Sequence, residues 1–181
     1  MAIGTRSDRA VIAVCGSNRL DDDELERMAE ALGAEILRAG MSLVTGGMGG
    51  VMSAASRGAA TARDSGEGDG FIIGILPGSR KEDANPYCDV ILPTGMGSAR
   101  NGLVVLAADA VVVFSGGAGT LAEVALAWQA GKPIVALVPS GGWAGRLGGQ
   151  RIDARHPGII LSARTPAEAV ALLRDELSGL R

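Results

Sequence analysis

Residues 110–123 constrain the fold of this chain more than any other stretch. Ala110, Val111, Val112, Val113 and Phe114 form an unbroken apolar run that passes through Ser115, Gly116 and Gly117 into a helical pattern. Such a run suits a parallel strand covered on both faces. Gly116, Gly117 and Gly119 open backbone conformations closed to other residues and let main-chain N–H groups approach a ligand. Leu121, Val124, Ala125 and Trp128 then follow at helical spacing. The turn therefore delivers its ligand to a helix N-terminus, where unpaired N–H groups and the positive dipole end attract an anion. Gly116, Gly117, Ala118, Gly119 and Thr120 are the expected phosphate seat.

A second turn of the same kind follows residues 41–45, which read as another buried strand. Gly46, Gly47, Met48, Gly49 and Gly50 lead there into a helix carrying Val51, Met52, Ala55 and Ala59. Both turns lie at carboxyl ends of strands, the edge where open parallel sheets bind ligands. Together they predict one shared cleft.

Strand and helix patterns alternate along the rest of the chain, as in parallel βα units. Residues 10–15 are a first strand. Asp21 with Glu24 can cap a helix whose apolar face is Leu25, Met28, Ala29, Leu32 and Ile36, and Gly40 stands where a C-terminal glycine should end it. A helix over 51–62 and a mobile polar loop over 63–70 follow. Strands are expected at 71–76, 90–92, 110–114, 134–138 and 159–161. Residues 79–88 have little periodicity and can fold over a ligand. A helix is expected at 99–107 and another at 120–130. Five glycines around Trp143 in residues 140–149 suggest a flexible lip. Thr165, Pro166 and Glu168 form a capping box for the last helix. The expected fold class is α/β: one doubly wound Rossmann-like domain over residues 10–181, with a mostly parallel sheet of about seven strands, after a flexible N-terminus at 1–9.

Composition narrows the function. Hydrophobic residues make up 47% of the 181, which supports one sizeable core. A net charge of −3, 17 Lys and Arg and 3% aromatic residues provide neither a basic stripe nor stacking platforms, so nucleic acid is not expected as a partner. No apolar run approaches the roughly 20 residues that span a membrane, and residues 1–9 lack a signal-peptide core. A cytoplasmic protein without membrane association is expected. Cys15 and Cys88 lack zinc-like or thioredoxin-like spacing and read as packing residues, and His156 is the single histidine, so no metal site is expected. No nucleophile elbow supports a hydrolase triad around His156.

Val14, Cys15, Gly16 and Ser17, then Gly46, Gly47, Met48, Gly49, Gly50, Val51 and Met52, then Arg100 followed by Gly116, Gly117, Ala118, Gly119, Thr120, Leu121, Ala122 and Glu123, occur in an order that resembles the LONELY GUY (LOG-like) Rossmann proteins. The founding members of that family are cytokinin riboside 5′-monophosphate phosphoribohydrolases. The likeness covers residues 11–138. Thr94, Gly95, Met96, Gly97, Ser98, Ala99, Arg100 and Asn101 look more like the branch containing the molybdenum cofactor carrier proteins. The resemblance implies a phosphate-bearing, nucleotide-like ligand and a homodimer or homotetramer built through helices beside the site. It also implies either N-glycosidic hydrolysis without a cofactor or carriage of the molybdenum cofactor as bound ligand. Arg100 and Glu123 occupy the hydrolase motif's arginine and glutamate positions. Ser115 stands in place of its proline, Asn101 of its lysine, Val104 of its methionine and Ala122 of its usual further glutamate.

The same pair has a chemical reading. Cleaving an N-glycosidic bond builds positive charge on the ribose, which a carboxylate can stabilise while orienting water; Glu123 is the candidate. Arg100 can bind phosphate or position that carboxylate. Against this, Thr120 and Glu123 have the spacing of a capping box. Ser17 and Asn18 either touch phosphate or sugar or cap the next helix. Thr120 either meets phosphate or caps, and Met48 and Met96 line the pocket or pack. Gly16, Gly46, Gly47, Gly49, Gly97 and Asn101 complete the expected binding set. A pyridoxal lysine decarboxylase is disfavoured: Lys81 and Lys132 are the two lysines, one in a polar loop and the other before Pro133 in a turn.

Overall fold

The structure, a computed structural model, describes residues 9–154 and 157–179; His156 and residues 1–8 lie outside them. Among the described residues, seven strands form one sheet: β1 (Val11–Gly16), β2 (Ser42–Thr45), β3 (Ile72–Leu76), β4 (Val90–Pro93), β5 (Ala110–Phe114), β6 (Ile134–Leu137) and β7 (Leu161–Ala163). Their order is β4-β3-β2-β1-β5-β6-β7, and every pairing is parallel. The chain winds outward through β2, β3 and β4, then returns to the other side of β1 with β5. This reversal leaves a crevice above the carboxyl ends of β1 and β5, the ligand position of doubly wound sheets. The α/β Rossmann-like fold class agrees with the sequence reading.

Among the described residues, six α-helices cover the sheet: α1 (Asp23–Arg38), α2 (Val51–Asp64), α3 (Asn101–Ala107), α4 (Ala118–Gln129), α5 (Gly142–Leu147) and α6 (Pro166–Gly179). One core joins α1, α2 and α6 to one face of the sheet, and a second joins α3, α4 and α5 to the other. With helices on both faces, β5 has no solvent side, and Val111, Val112, Val113 and Phe114 are fully buried. Helices α1 and α2 pack closely because Gly33 and Gly58 carry no side chain. A Cβ on Gly33 would lie 2.7 Å from the Ala55 carbonyl carbon, and one on Gly58 would lie 2.5 Å from that of Glu30.

Several local expectations are corrected. The cap of α1 is Asp22, whose Oδ1 accepts from the Glu24 and Leu25 N–H groups at 2.8 and 3.1 Å, and not Asp21. Residues 140–149 do not form a loose lip. They contain α5, whose Ala144 N–H donates to Ser115 O at 3.1 Å. Residues 79–88 brace the second glycine turn from outside the cleft: Asn85 N–H donates to Gly47 O at 2.8 Å, and its Nδ2 donates to Met48 O at 3.2 Å. Arg63 and Asp64 belong to α2, and the last strand begins at Leu161, two residues later than expected.

Candidate functional site

A cavity of about 260 Å³ opens at the carboxyl edge between β1 and β5. Among the residues expected at the site, Gly16, Ser17, Asn18, Gly46, Arg100, Asn101, Gly117, Gly119, Thr120 and Glu123 line it. The turn after β5 supplies one wall. Helix α4 begins at Ala118 with Gly117 as its cap, and no side chain caps it. The N–H groups of its first turn thus have no side-chain acceptor. Gly117 opens onto free space, with nothing within 4 Å of where a Cβ would stand.

This start of α4 removes the capping-box reading of Glu123. Thr120 is the third helical residue, so Glu123 stands on the next turn with its side chain against the cavity, and both are buried. Arg100 closes a 3-10 turn over Gly97–Arg100 and is 8% exposed. Its Nη1 donates to Asn101 Oδ1 at 2.8 Å and to Glu123 Oε1 at 3.5 Å, while its buried Nε has no partner. Gly46 makes room for this guanidinium, because a Cβ there would sit 2.7 Å from Arg100 Cζ.

Burial pushes the Glu123 carboxyl from 4.5 up to about 7, against the lowering pull of Arg100 and of a hydrogen bond from Cys15. Burial likewise raises the Cys15 thiol well above its usual range, with the Glu123 charge adding to it, so the thiol stays protonated. By its spacing in the sequence Cys15 reads as a packing residue. It is buried, but it also lines the cavity beside Glu123, as do Val14 and Met52. The position of Cys15 at the carboxyl end of the first strand was the available signal.

The other expected residues shape the walls without lining the cavity. Gly47 takes φ +70 and packs against Leu76 and Gly74. Gly49 N–H donates to Asn18 Oδ1 at 3.0 Å, and Val51 N–H to Ser17 O at 3.0 Å, so the loop after β1 is tied to the glycine turn after β2. Gly116, at φ +93, lies over Thr120, whose Cγ2 would be 2.6 Å from a Cβ there. Gly97 takes φ +56 in open space, and Ala118 is exposed at the start of α4. Met96 is 47% exposed and is not part of the cavity lining; Met48 is not part of it either. Among the described residues, no group of three or more His, Cys, Asp or Glu is placed to hold a metal ion, and no helix is long and apolar enough to cross a membrane.

Known proteins are similar to this chain in sequence and fold. The profile of the SLOG cluster4 family matches residues 9–170. A cytokinin riboside 5′-monophosphate phosphoribohydrolase of Mycobacterium tuberculosis is 33% identical over 151 residues, spanning 79% of this chain and 78% of that protein. The molybdenum cofactor binding protein of the phototrophic bacterium Rippkaea orientalis superposes with a TM-score of 0.79 at 30% identity, over 95% of this chain and 99% of that one. The molybdenum cofactor carrier protein of Chlamydomonas reinhardtii superposes with a TM-score of 0.78 at 32% identity, over 94% and 99%. With this family match, these relatives and the shared fold, the chain belongs to the SLOG cluster4 family, in a LOG-like branch that resembles the molybdenum cofactor carrier proteins.

Proposed function

We propose that this chain binds a phosphorylated, nucleotide-like small molecule with its phosphate on the first turn of α4, and that it hydrolyses the N-glycosidic bond of a nucleoside 5′-monophosphate. The buried Arg100–Glu123 pair at the cavity wall carries this reading, because it places a carboxylate poised near neutral pH beside an uncapped helix N-terminus. At about 260 Å³ the cavity is smaller than the roughly 300–1,000 Å³ of drug-sized ligand sites. It suits the phosphate and sugar, with the base projecting outward.

In the reaction the C1′–N bond breaks and its electron pair leaves with the base, which takes up a proton from solvent. A water oxygen bonds to C1′ and passes a proton to Glu123, whose negative charge also stabilises the cationic sugar. The products are free base and ribose 5-phosphate. Arg100 positions Glu123 and adds positive charge toward the phosphate. No cofactor is required for these steps.

A second reading rests on Ser115. It takes φ +48, which a proline ring held near −65° cannot adopt. The turn therefore departs from that of the hydrolase motif, and a carrier of the molybdenum cofactor, whose pterin bears a phosphate, would use the same seat without cleavage. Incubation with AMP separates the two: adenine release supports hydrolysis, and intact bound AMP supports the carrier.

We also propose that copies of this chain associate through α3 and α4. Their outward residues include Leu103, Leu106 and Leu126, exposed at 39%, 66% and 37%, and the one charged residue on the two helices, Glu123, points inward.

A further inference from the structure

Ser115 is the one non-glycine with positive φ among the described residues, and a left-handed serine has to be held by its surroundings. The holding group is Ser140, which is 3% exposed and lies beyond the end of β6. Its Oγ accepts from the Ser115 N–H at 2.7 Å and donates to Leu137 O at 2.6 Å. With its proton committed to Leu137, the hydroxyl keeps a lone pair aimed at Ser115. Helix α5 closes the same turn from above: Trp143 N–H donates to Gly116 O at 3.3 Å and Ala144 N–H to Ser115 O at 3.1 Å. Gly142 permits this approach, since a Cβ on it would lie 2.6 Å from the Ser115 carbonyl carbon.

We propose that Ser140 is a positioning residue of the phosphate seat: it holds Ser115 in the left-handed conformation and thereby aims the N–H groups of the α4 first turn into the cavity. This rests on the seat binding phosphate, as proposed above. Ser140 does not line the cavity. It acts through Ser115, two residues before the cap of α4, and ties the seat to β6 and α5. A proline at position 115 would remove both the N–H and the required φ, so the hydrolase motif's residue cannot be accommodated in this turn.

The test is a double-mutant cycle read by AMP affinity in calorimetry, using the full chain. Ser140→Ala orphans the Ser115 N–H and frees the turn, and is expected to weaken AMP binding about tenfold with the fold retained. Ser115→Gly adopts positive φ unaided, and in that background Ser140→Ala should cost about threefold or less. Equal costs in both backgrounds, or an unchanged affinity in Ser140→Ala while wild type binds AMP, overturn the proposal alone. Wild-type protein that binds neither AMP nor inorganic phosphate overturns the ligand reading and this inference with it. Should Ser140→Ala fail to fold, Ser140→Cys keeps a side chain of similar shape in place but offers the Ser115 N–H only a weak acceptor. Lost AMP binding in that variant supports the proposal, and retained binding overturns it.

Discussion

Arg100 Nη1 lies 3.5 Å from Glu123 Oε1, with the two side chains 10% and 8% exposed. The guanidinium's shorter bond, 2.8 Å, goes to Asn101 Oδ1, and its contact with the carboxylate is the longer of the two. Burial therefore outweighs ion pairing at Glu123, and its carboxyl rises to about 7.

The first consequence concerns rate against pH. The proposed chemistry needs ionised Glu123, so kcat/KM for AMP should climb as pH rises through about 7 and level off above it. A pH–rate profile between pH 5 and 9 checks this, and a rate flat from pH 5 upward contradicts it.

The second concerns stability, with the opposite sense. Between 4.5 and about 7 folded Glu123 holds a proton that the unfolded chain has released. Stability should thus fall as pH rises through that window, by on the order of 3 kcal/mol from this group, the whole loss being present above pH 7. Glu123→Gln has no such titration. Urea midpoints at pH 5 and pH 8 should show wild type losing stability relative to Glu123→Gln, and a difference independent of pH counts against the shift.

Gly117→Val probes the seat directly. A Cβ at Gly117 meets nothing within 4 Å, and its φ of −109 is open to other residues. The variant should keep a wild-type circular dichroism spectrum and Tm while its AMP affinity falls at least a hundredfold, because the side chain occupies the space over the α4 N–H groups. Undiminished calorimetric affinity would place the phosphate elsewhere.

Much of this was legible in the sequence because buried parallel strands are written as apolar runs: Val111, Val112 and Val113 announce β5 without ambiguity. That Arg100 and Glu123 lie at one cavity wall with Gly46, Gly117 and Gly119 was also readable from the order of the motifs. The glycines of residues 140–149 misled, since glycine marks close approach as well as flexibility. Gly142 lies against the Ser115 backbone and Gly148 against Val138 and Ser162. Thr120 and Glu123 imitate a capping box, but Gly117 starts the helix earlier, and only three dimensions distinguish the two. Ser140 carries no local signal at all, because its importance comes from a residue 25 positions away.

The α3–α4 surface gives a test in solution. Wild type should elute as a dimer or larger species with light-scattering detection, and Leu106→Glu with Leu126→Glu should shift it to the monomer mass. A monomeric wild type at tens of micromolar removes the association.

The most direct test is incubation of purified wild type and Glu123→Gln with AMP, following adenine and ribose 5-phosphate by chromatography. Wild type should release both in equal amounts. Glu123→Gln should bind AMP nearly as well and release adenine roughly a hundredfold or more slowly, as expected when a transition-state electrostatic partner is lost. Wild-type protein that binds AMP and leaves it intact contradicts the hydrolase reading and favours the carrier.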